Sequence, residues 1–244
     1  MGTDGRFQML SRRSFLAVTG GALAAPSFSW GAETLSDVPV VLDHILLGCS
    51  DLDMGIAFVE QHTGVRAAFG GVHPGRGTRN ALLSLGEKHY LEIIAPDPEQ
   101  PDAPDSFGLR KLEQPKPITW AAHPGSLDEF AKRLRSANLA FDGPTPGSRK
   151  RLDGRLLQWK TINLHENYGG VLPFFIEWSA DTTHPSVDAP SGCQLVHFMV
   201  CSPHSAEIER LFHAIDIPIL VGTTESPQLL ARITGRGRDL TFPF

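Results

Sequence analysis

The chain lacks the features that mark several common classes of protein. It has three cysteines in 244 residues and no CxxC pair, so neither a zinc knuckle nor a disulfide framework is indicated. Basic residues do not outnumber acidic ones, and the net charge of −5 argues against nucleic acid as a partner. No GxSxG elbow occurs, and no GxGxxG turn follows a strand, which disfavours serine-hydrolase and dinucleotide chemistry. We interpret Cys49, Cys193 and Cys201 as small packing residues, with a single disulfide bridge left open.

Long hydrophobic runs are also missing, apart from one short apolar segment near the N-terminus. The pair Arg12-Arg13 leads directly into this segment, which contains glycines and ends in the small and polar residues 29–32. The segment is too short and too rich in glycine to span about 30 Å of hydrocarbon. The pattern predicts that residues 1–31 are a twin-arginine signal peptide. We therefore expect the twin-arginine export machinery as a partner, a periplasmic location, and no membrane span after processing.

A strand followed by a capped helix recurs three times in the rest of the chain. The first copy begins at Leu42, the second at Ile118 and the third at Leu195, and apolar residues recur at helical spacing after each strand. Turn-rich segments and further strands follow the first two helices, so these copies are predicted as βαβββ modules. The modules span about residues 40–98 and 118–179, and the unit at 194–244 is predicted as a truncated βαββ-like unit. The connections between the units, rich in Pro, Asp, Thr and Ser, are expected to run over the surface.

The first module carries a resemblance to a known family. It opens with Leu42-Asp43-His44, closes on Tyr90-Leu91-Glu92, and joins them through the segment His73 to Ala81. This arrangement resembles the glyoxalase-like domains of the vicinal oxygen chelate superfamily, over residues 40–180 well and over 194–244 loosely. The resemblance implies an α+β fold in which repeated βαβββ modules curl a mixed sheet into an open barrel, with the helices outside. It also implies a divalent metal in the concavity, held by side chains on the first and last strands of each module.

Strand alternation indicates which side chains would reach that metal. His44 shares a strand face with Leu42 and Leu46, so we expect it to point into the concavity. By module and strand, His44, Glu92 and Glu177 match the ligand positions that the resemblance implies, whereas the fourth position falls on Thr119, a poor metal ligand. Three alternatives stay open: a metal on those three residues, a two-histidine site completed by His197, or loss of the metal. Imidazole and carboxylate ligands suit Zn, Mn, Ni or Fe(II).

The segment His73 to Thr78 of the first module is a candidate substrate loop, with Arg79 and Asn80 as hydrogen-bond donors beside it. Its glycines would bring backbone N–H groups close to an anionic or carbonyl ligand. The alternative is a turn-rich crossover without a role in binding. The residues predicted to bind substrate are His73, Thr78, Arg79 and Asn80.

The expected function follows from the resemblance and from the strand pattern together. We expect an exported, metal-dependent lyase, isomerase or related enzyme that acts on a small oxygenated substrate in the concavity. Glu92 or Glu177 would move the proton. The alternatives are a metal-free module of the same fold that binds a small molecule, and an enzyme similar to the non-haem iron dioxygenases. A homodimer is left open.

Overall fold

The computed structural model describes residues 38–151 and 153–243. The predicted signal peptide, residues 1–31, lies outside this range and stays a prediction. No helix within the described range has the length and apolar character needed to cross a membrane.

The first module has the predicted βαβββ order. Asp51 begins the helix by accepting a hydrogen bond from the Met54 N–H, and Gly64 ends it in the left-handed conformation. The elements are β1 (Leu42–Gly48), α1 (Leu52–Thr63), β2 (Ala68–His73), β3 (Thr78–Ser84) and β4 (Tyr90–Pro96).

The second module repeats this order. Its helix is capped by Ser126, whose side chain accepts a hydrogen bond from the Glu129 N–H. Two short 3₁₀ turns, Leu109–Lys111 and Tyr168–Gly170, lie before its first strand and its last strand. The elements are β5 (Lys116–Ala122), α2 (Leu127–Ser136), β6 (Phe141–Lys150), β7 (Leu156–Leu164) and β8 (Phe174–Trp178).

The C-terminal unit forms a separate four-stranded sheet with the order β10-β9-β11-β12. It has the element order of a module, but the strand order differs, because its first strand lies between the second and the third. The cysteines Cys49, Cys193 and Cys201 are all buried and free, in agreement with a packing role. The elements after the second module are α3 (Pro185–Asp188), β9 (Gln194–Cys201), α4 (Ser205–Ala214), β10 (Val221–Gly222), β11 (Gln228–Thr234) and β12 (Asp239–Phe242).

The two modules join into one curled eight-stranded sheet with the order β2-β3-β4-β1-β5-β8-β7-β6. Strand β1 runs parallel to β4 and antiparallel to β5, and β5 runs parallel to β8. The sheet curls into a half-barrel, and its edge strands β2 and β6 come into contact. One sheet face packs against the helices, through side chains such as Ile45, Leu91 and Phe175, and the other face lines a cavity. The predicted fold class is confirmed.

Candidate functional site

The concave face of the sheet encloses a cavity of about 530 Å³. Strands of both modules line it, but the two modules contribute different side chains. The first supplies most of the titratable groups, and the second supplies aromatic, apolar and uncharged polar groups with one arginine. From the first module the lining includes His44, Leu46, His73, Thr78, Asn80, Tyr90, Glu92 and Ile94; from the second it includes Gly147, Ser148, Arg149, Trp159, Thr161, Asn163, Phe174, Ile176 and Trp178.

His44 and Glu92 meet in this cavity, as strand alternation predicted. Ile45 on β1 faces the helices, which turns His44 toward the concave side. On the adjacent parallel strand β4, Glu92 faces the same side. His44 Nε2 lies 3.4 Å from Glu92 Oε2, and the two residues are only 2% and 7% exposed. The cavity therefore contains a buried pair of one imidazole and one carboxylate.

Asp43 stands behind this pair and was missed by the sequence reasoning. Its Oδ1 lies 2.6 Å from His44 Nδ1, and its Oδ2 accepts hydrogen bonds from Trp178 Nε1 at 3.0 Å and His184 Nε2 at 3.3 Å. Strict alternation would place neighbouring side chains on opposite faces of β1. A bulge changes this, because Leu42 pairs with Ala122 and His44 with Ala121, which leaves Asp43 as an extra residue.

The charges of the cluster follow from these contacts. Burial lowers the pKa of His44, but the hydrogen bonds and charges of Asp43 and Glu92 outweigh burial and raise it to about 9. Burial raises the pKa of Glu92, but the hydrogen bond to His44, the nearby His73 and the Asn80 amide lower it to about 2. For Asp43, the two histidines likewise outweigh burial and hold the pKa well below its usual value. At neutral pH the site therefore contains an imidazolium between two carboxylates.

Three of the four residues predicted to bind substrate surround Glu92. Asn80 Nδ2 donates a hydrogen bond to Glu92 Oε1 at 2.7 Å, and His73 Nε2 lies 3.8 Å from the same oxygen. The opposite ring nitrogen of His73 lies 2.9 Å from Thr78 Oγ1, and burial lowers the pKa of this histidine. The fourth, Arg79, lies on β3 between these residues and does not line the cavity.

The structure does not bring Glu177 to the cavity. On β8 the residues that face the cavity are Phe174, Ile176 and Trp178, so Glu177 lies on the helix side of the sheet. There its Oε2 accepts a 2.7 Å hydrogen bond from the backbone N–H of Leu127, the first residue of α2. This carboxylate therefore occupies the N-terminus of a helix, where a negative charge is favourable.

The register of the strands explains why Glu177 does not occupy the place equivalent to Glu92. It also shows which residue of β5 is equivalent to His44. In the first module His44 lies beside Tyr90, and Glu92 follows two residues later. In the second module Ala121 lies beside Phe174, so Ile176 occupies the place of Glu92. Ala121, and not Thr119, occupies the place of His44. Counting back from the helix start gave Thr119 because Leu52, the first residue of α1, follows His44 by eight positions, whereas Leu127, the first residue of α2, follows Ala121 by only six.

His197 also lies away from this cluster. It is on β9, where its register partner is Arg232 of β11, in the four-stranded sheet, and it does not line the cavity. Of the four donors predicted for a metal, the structure thus brings together His44 and Glu92 alone. The second module presents Ala121 and Ile176, which have no metal-binding atoms, where the resemblance implies ligands.

The residues named as metal ligands from the resemblance therefore do not all come together in the cavity. Within residues 38–151 and 153–243, no group of three or more His, Cys, Asp or Glu side chains has an arrangement that could hold a metal ion. His44 Nδ1 is held by a buried carboxylate, a contact that many metal-binding histidines also make. The same contact also stabilises a protonated imidazole, so it is not by itself evidence for a bound metal.

Two connections that were expected to run over the surface contribute to the site. Pro104, Ser106 and Phe107, from the connection between the modules, line the cavity. From the connection after the second module, His184 reaches Asp43. Neither contribution has a periodic pattern in the sequence, and only the folded path of the chain reveals it.

Comparison with known proteins gives a family and a fold. A family model described as a glyoxalase-like domain matches residues 42–215. None of the curated proteins matches the chain. A hypothetical protein from Staphylococcus aureus is similar in structure, with a TM-score of 0.55 and 16% identity over 82% of this chain and 83% of that one. Methylmalonyl-CoA epimerase from Mycobacterium tuberculosis gives a TM-score of 0.42 and 21% identity over 60% of this chain and 92% of that one.

Proposed function

The chain belongs to the glyoxalase-like domain family, and from this premise we propose that it is an isomerase or lyase that moves a proton at a carbon next to a carbonyl group. One observation carries the proposal: His44 Nε2 and Glu92 Oε2 lie 3.4 Å apart in one buried cavity. The raised pKa of His44 and the lowered pKa of Glu92 favour an imidazolium beside an ionised carboxylate. A proton donor and a proton acceptor in contact with the same small space are what enolisation requires.

His44 is the proposed proton donor to the carbonyl oxygen. Its pKa of about 9 keeps it protonated at neutral pH, and Asp43 fixes the ring through the opposite nitrogen. A carbonyl oxygen that accepts the Nε2–H bond gains stabilisation as negative charge develops on it. The ring of Tyr90 stacks on the imidazole at 4.4 Å and restricts its orientation further.

Glu92 is the proposed proton acceptor. With its pKa near 2 it is ionised but weakly basic, because His44 and Asn80 both donate to it. A substrate oxygen that replaces Glu92 as the acceptor of the His44 N–H removes the hydrogen bond that most strongly lowers the Glu92 pKa. The carboxylate then becomes a stronger base at the moment when the substrate is in place.

The divalent metal implied by the resemblance has no step in this proposal. It stays a prediction, and of the residues named as its ligands, Glu177 and His197 lie outside the cavity. Metal analysis of the protein purified without chelator, and after incubation with Mn, Ni, Zn or Fe(II), measures it directly. The dioxygenase-like alternative needed the second histidine, His197, which the structure places in the other sheet.

The proposed reaction is tested by proton exchange in D₂O. We expect the wild-type protein to catalyse the incorporation of deuterium next to the carbonyl group of small ketones and 2-oxo acids, such as 4-phenyl-2-butanone and 2-oxo-4-phenylbutyrate. Proton NMR measures this incorporation as the loss of the corresponding proton signal. Glu92→Gln should lower the exchange rate by at least about 100-fold, because the amide cannot accept the proton.

The exposed Glu87 provides the matched control. Glu87→Gln should exchange protons at the wild-type rate. Saturable binding of these compounds without any exchange above the rate in buffer would reject the enzyme and favour the metal-free binding module.

We further propose that the protein is exported through the twin-arginine route. The support is the arginine pair before a short, glycine-containing apolar segment. In a bacterial host with this route, the variant Arg12→Lys with Arg13→Lys should remain in the cytoplasm, measured by cell fractionation and immunoblotting. The unchanged chain is the control, and periplasmic recovery of the double variant would reject this route.

A further inference from the structure

Arg149 is a buried cation whose side chain has no hydrogen-bond or ion-pair partner among the described residues. It lies on β6, is only 4% exposed, and lines the cavity. Its Nη1 has no hydrogen-bond partner, and no carboxylate of the described chain lies within ion-pair distance. By contrast, Arg151, two residues further along the chain, forms an ion pair, with its Nη1 2.6 Å from Asp188 Oδ2. Since an uncompensated buried charge is costly, the unpaired state of Arg149 requires an explanation.

The backbone of β2 makes room for this guanidinium. A Cβ added to Gly70 would lie 2.8 Å from Arg149 Nη1, and a Cβ added to Gly71 would lie 3.0 Å from the same atom. Gly71 also has a φ of +145°, which side-chain-bearing residues rarely adopt. Two consecutive glycines in a strand weaken it, so their presence here fits a place kept open for the arginine. The side chain thus occupies the contact between the two edge strands of the sheet.

Arg149 shares the cavity with the proposed acid and base. The charge of Glu92 raises the pKa of Arg149, although burial lowers it more. The second module also contributes the apolar side chains Phe174, Trp159 and Trp178 to the wall of this cavity. The two indole rings are 5.5 Å apart in an edge-to-face arrangement. A ligand that meets all these surfaces has an anionic group at one point and a planar apolar group beside it.

We propose that Arg149 binds a carboxylate of the substrate, so that the substrate is a carboxylic acid with an aromatic or similarly flat apolar group. The inference rests on the proposed function, since it names the substrate class for the same cavity. A carboxylate matches one guanidinium in charge and in planar geometry. Bound there, the acid supplies the missing counterion, and its apolar part covers the aromatic wall.

The test compares two probes that differ in charge and hardly in shape: 3-phenylpropanoate and 3-phenylpropanamide. Binding is measured by calorimetry and by the fluorescence of the tryptophans in the cavity. We expect the wild-type protein to bind the acid at least about tenfold more tightly than the amide. Arg149→Met should abolish this preference, and Arg149→Lys should retain part of it.

Arg238→Met, at an exposed position, is the matched control and should keep the full preference. The wild-type comparison needs no variant, so it remains informative if Arg149→Met fails to fold, which circular dichroism would reveal. A wild-type protein that binds neither probe, or both equally, overturns the inference, as does a folded Arg149→Met variant with the wild-type preference.

The same probes separate this inference from the proposed function. Glu92→Gln should keep the preference for the acid, because the carboxylate of 3-phenylpropanoate is expected to contact Arg149 and not Glu92. If the protein prefers the acid but does not exchange protons, the carboxylate site at Arg149 is supported and the proposed reaction is rejected. If it exchanges protons but shows no such preference, only the carboxylate site is rejected.

Discussion

His44 of β1 lies beside Tyr90 of β4, and Ala121 of β5 lies beside Phe174 of β8, so the two parallel strand pairs occupy equivalent places in the two halves of the sheet. The first half places an imidazole there, with the carboxylate of Glu92 two residues further on. The second half places a methyl group and then an isoleucine. One repeated backbone thus supports titratable chemistry on one side of the cavity and an apolar wall on the other.

This division has a physical use. Charges interact more strongly where water is excluded, so an acid and a base on one wall benefit from an apolar wall opposite. Four ligands for a metal would need both halves to carry donors. The comparison therefore predicts that activity depends on the first half, and that charged groups of the second half act through folding or through substrate binding.

After Glu92→Gln, the next largest loss of activity is expected at Asp43, which also belongs to the first half. Asp43→Asn removes the carboxylate whose hydrogen bond raises the pKa of His44. We expect activity to fall by about 10- to 100-fold. The His44 pKa should also move from about 9 toward 6.5. Because the protonated ring is the donor, the alkaline limb of the rate profile should move to lower pH.

The measurements are the pH dependence of proton exchange and an NMR titration of the histidine. Asp181→Asn, at an exposed position, is the control and should leave both unchanged. An Asp43→Asn variant with an unchanged His44 titration would show that the aspartate does not set the charge of the ring.

The smallest effect on activity is expected at Glu177, on the strand that corresponds to the strand of Glu92. Glu177→Gln keeps an oxygen for the Leu127 N–H but removes the negative charge from the N-terminus of α2. We expect the free energy of unfolding to fall by about 0.3–1 kcal/mol, measured by urea denaturation. Proton exchange should stay within about twofold of wild type. A loss as large as that of Glu92→Gln would show that the two halves share the chemistry after all.

The sequence predicted the repeated modules because the signals for them are local. Alternation of apolar residues, capping residues and turn-rich segments identified β1, α1 and β4, and the phase of β1 and β4 directed His44 and Glu92 correctly. In the second module, alternation places Phe175 and Glu177 on one face of β8. It could not tell which face of β8 meets the helices, because both faces carry apolar side chains.

The remaining parts of the site depend on features that have no local signal. The bulge at Asp43 involves pairing with a strand about 80 residues away in the sequence, as shown by its neighbours' partners Ala121 and Ala122. The unpaired state of Arg149 depends on the contact between the two ends of the sheet. Such features arise only when distant segments meet, so alternation within one segment does not predict them.

The hydrogen bond from His184 to Asp43 ties the connection after the second module to the proton chemistry. This connection leads directly into β9 of the four-stranded sheet. A displacement of that segment would withdraw one donor from the aspartate and alter how firmly the neighbouring imidazole holds its proton. The segment that joins the half-barrel to the C-terminal unit therefore also carries one of the groups that set the charge of Asp43, the partner of His44.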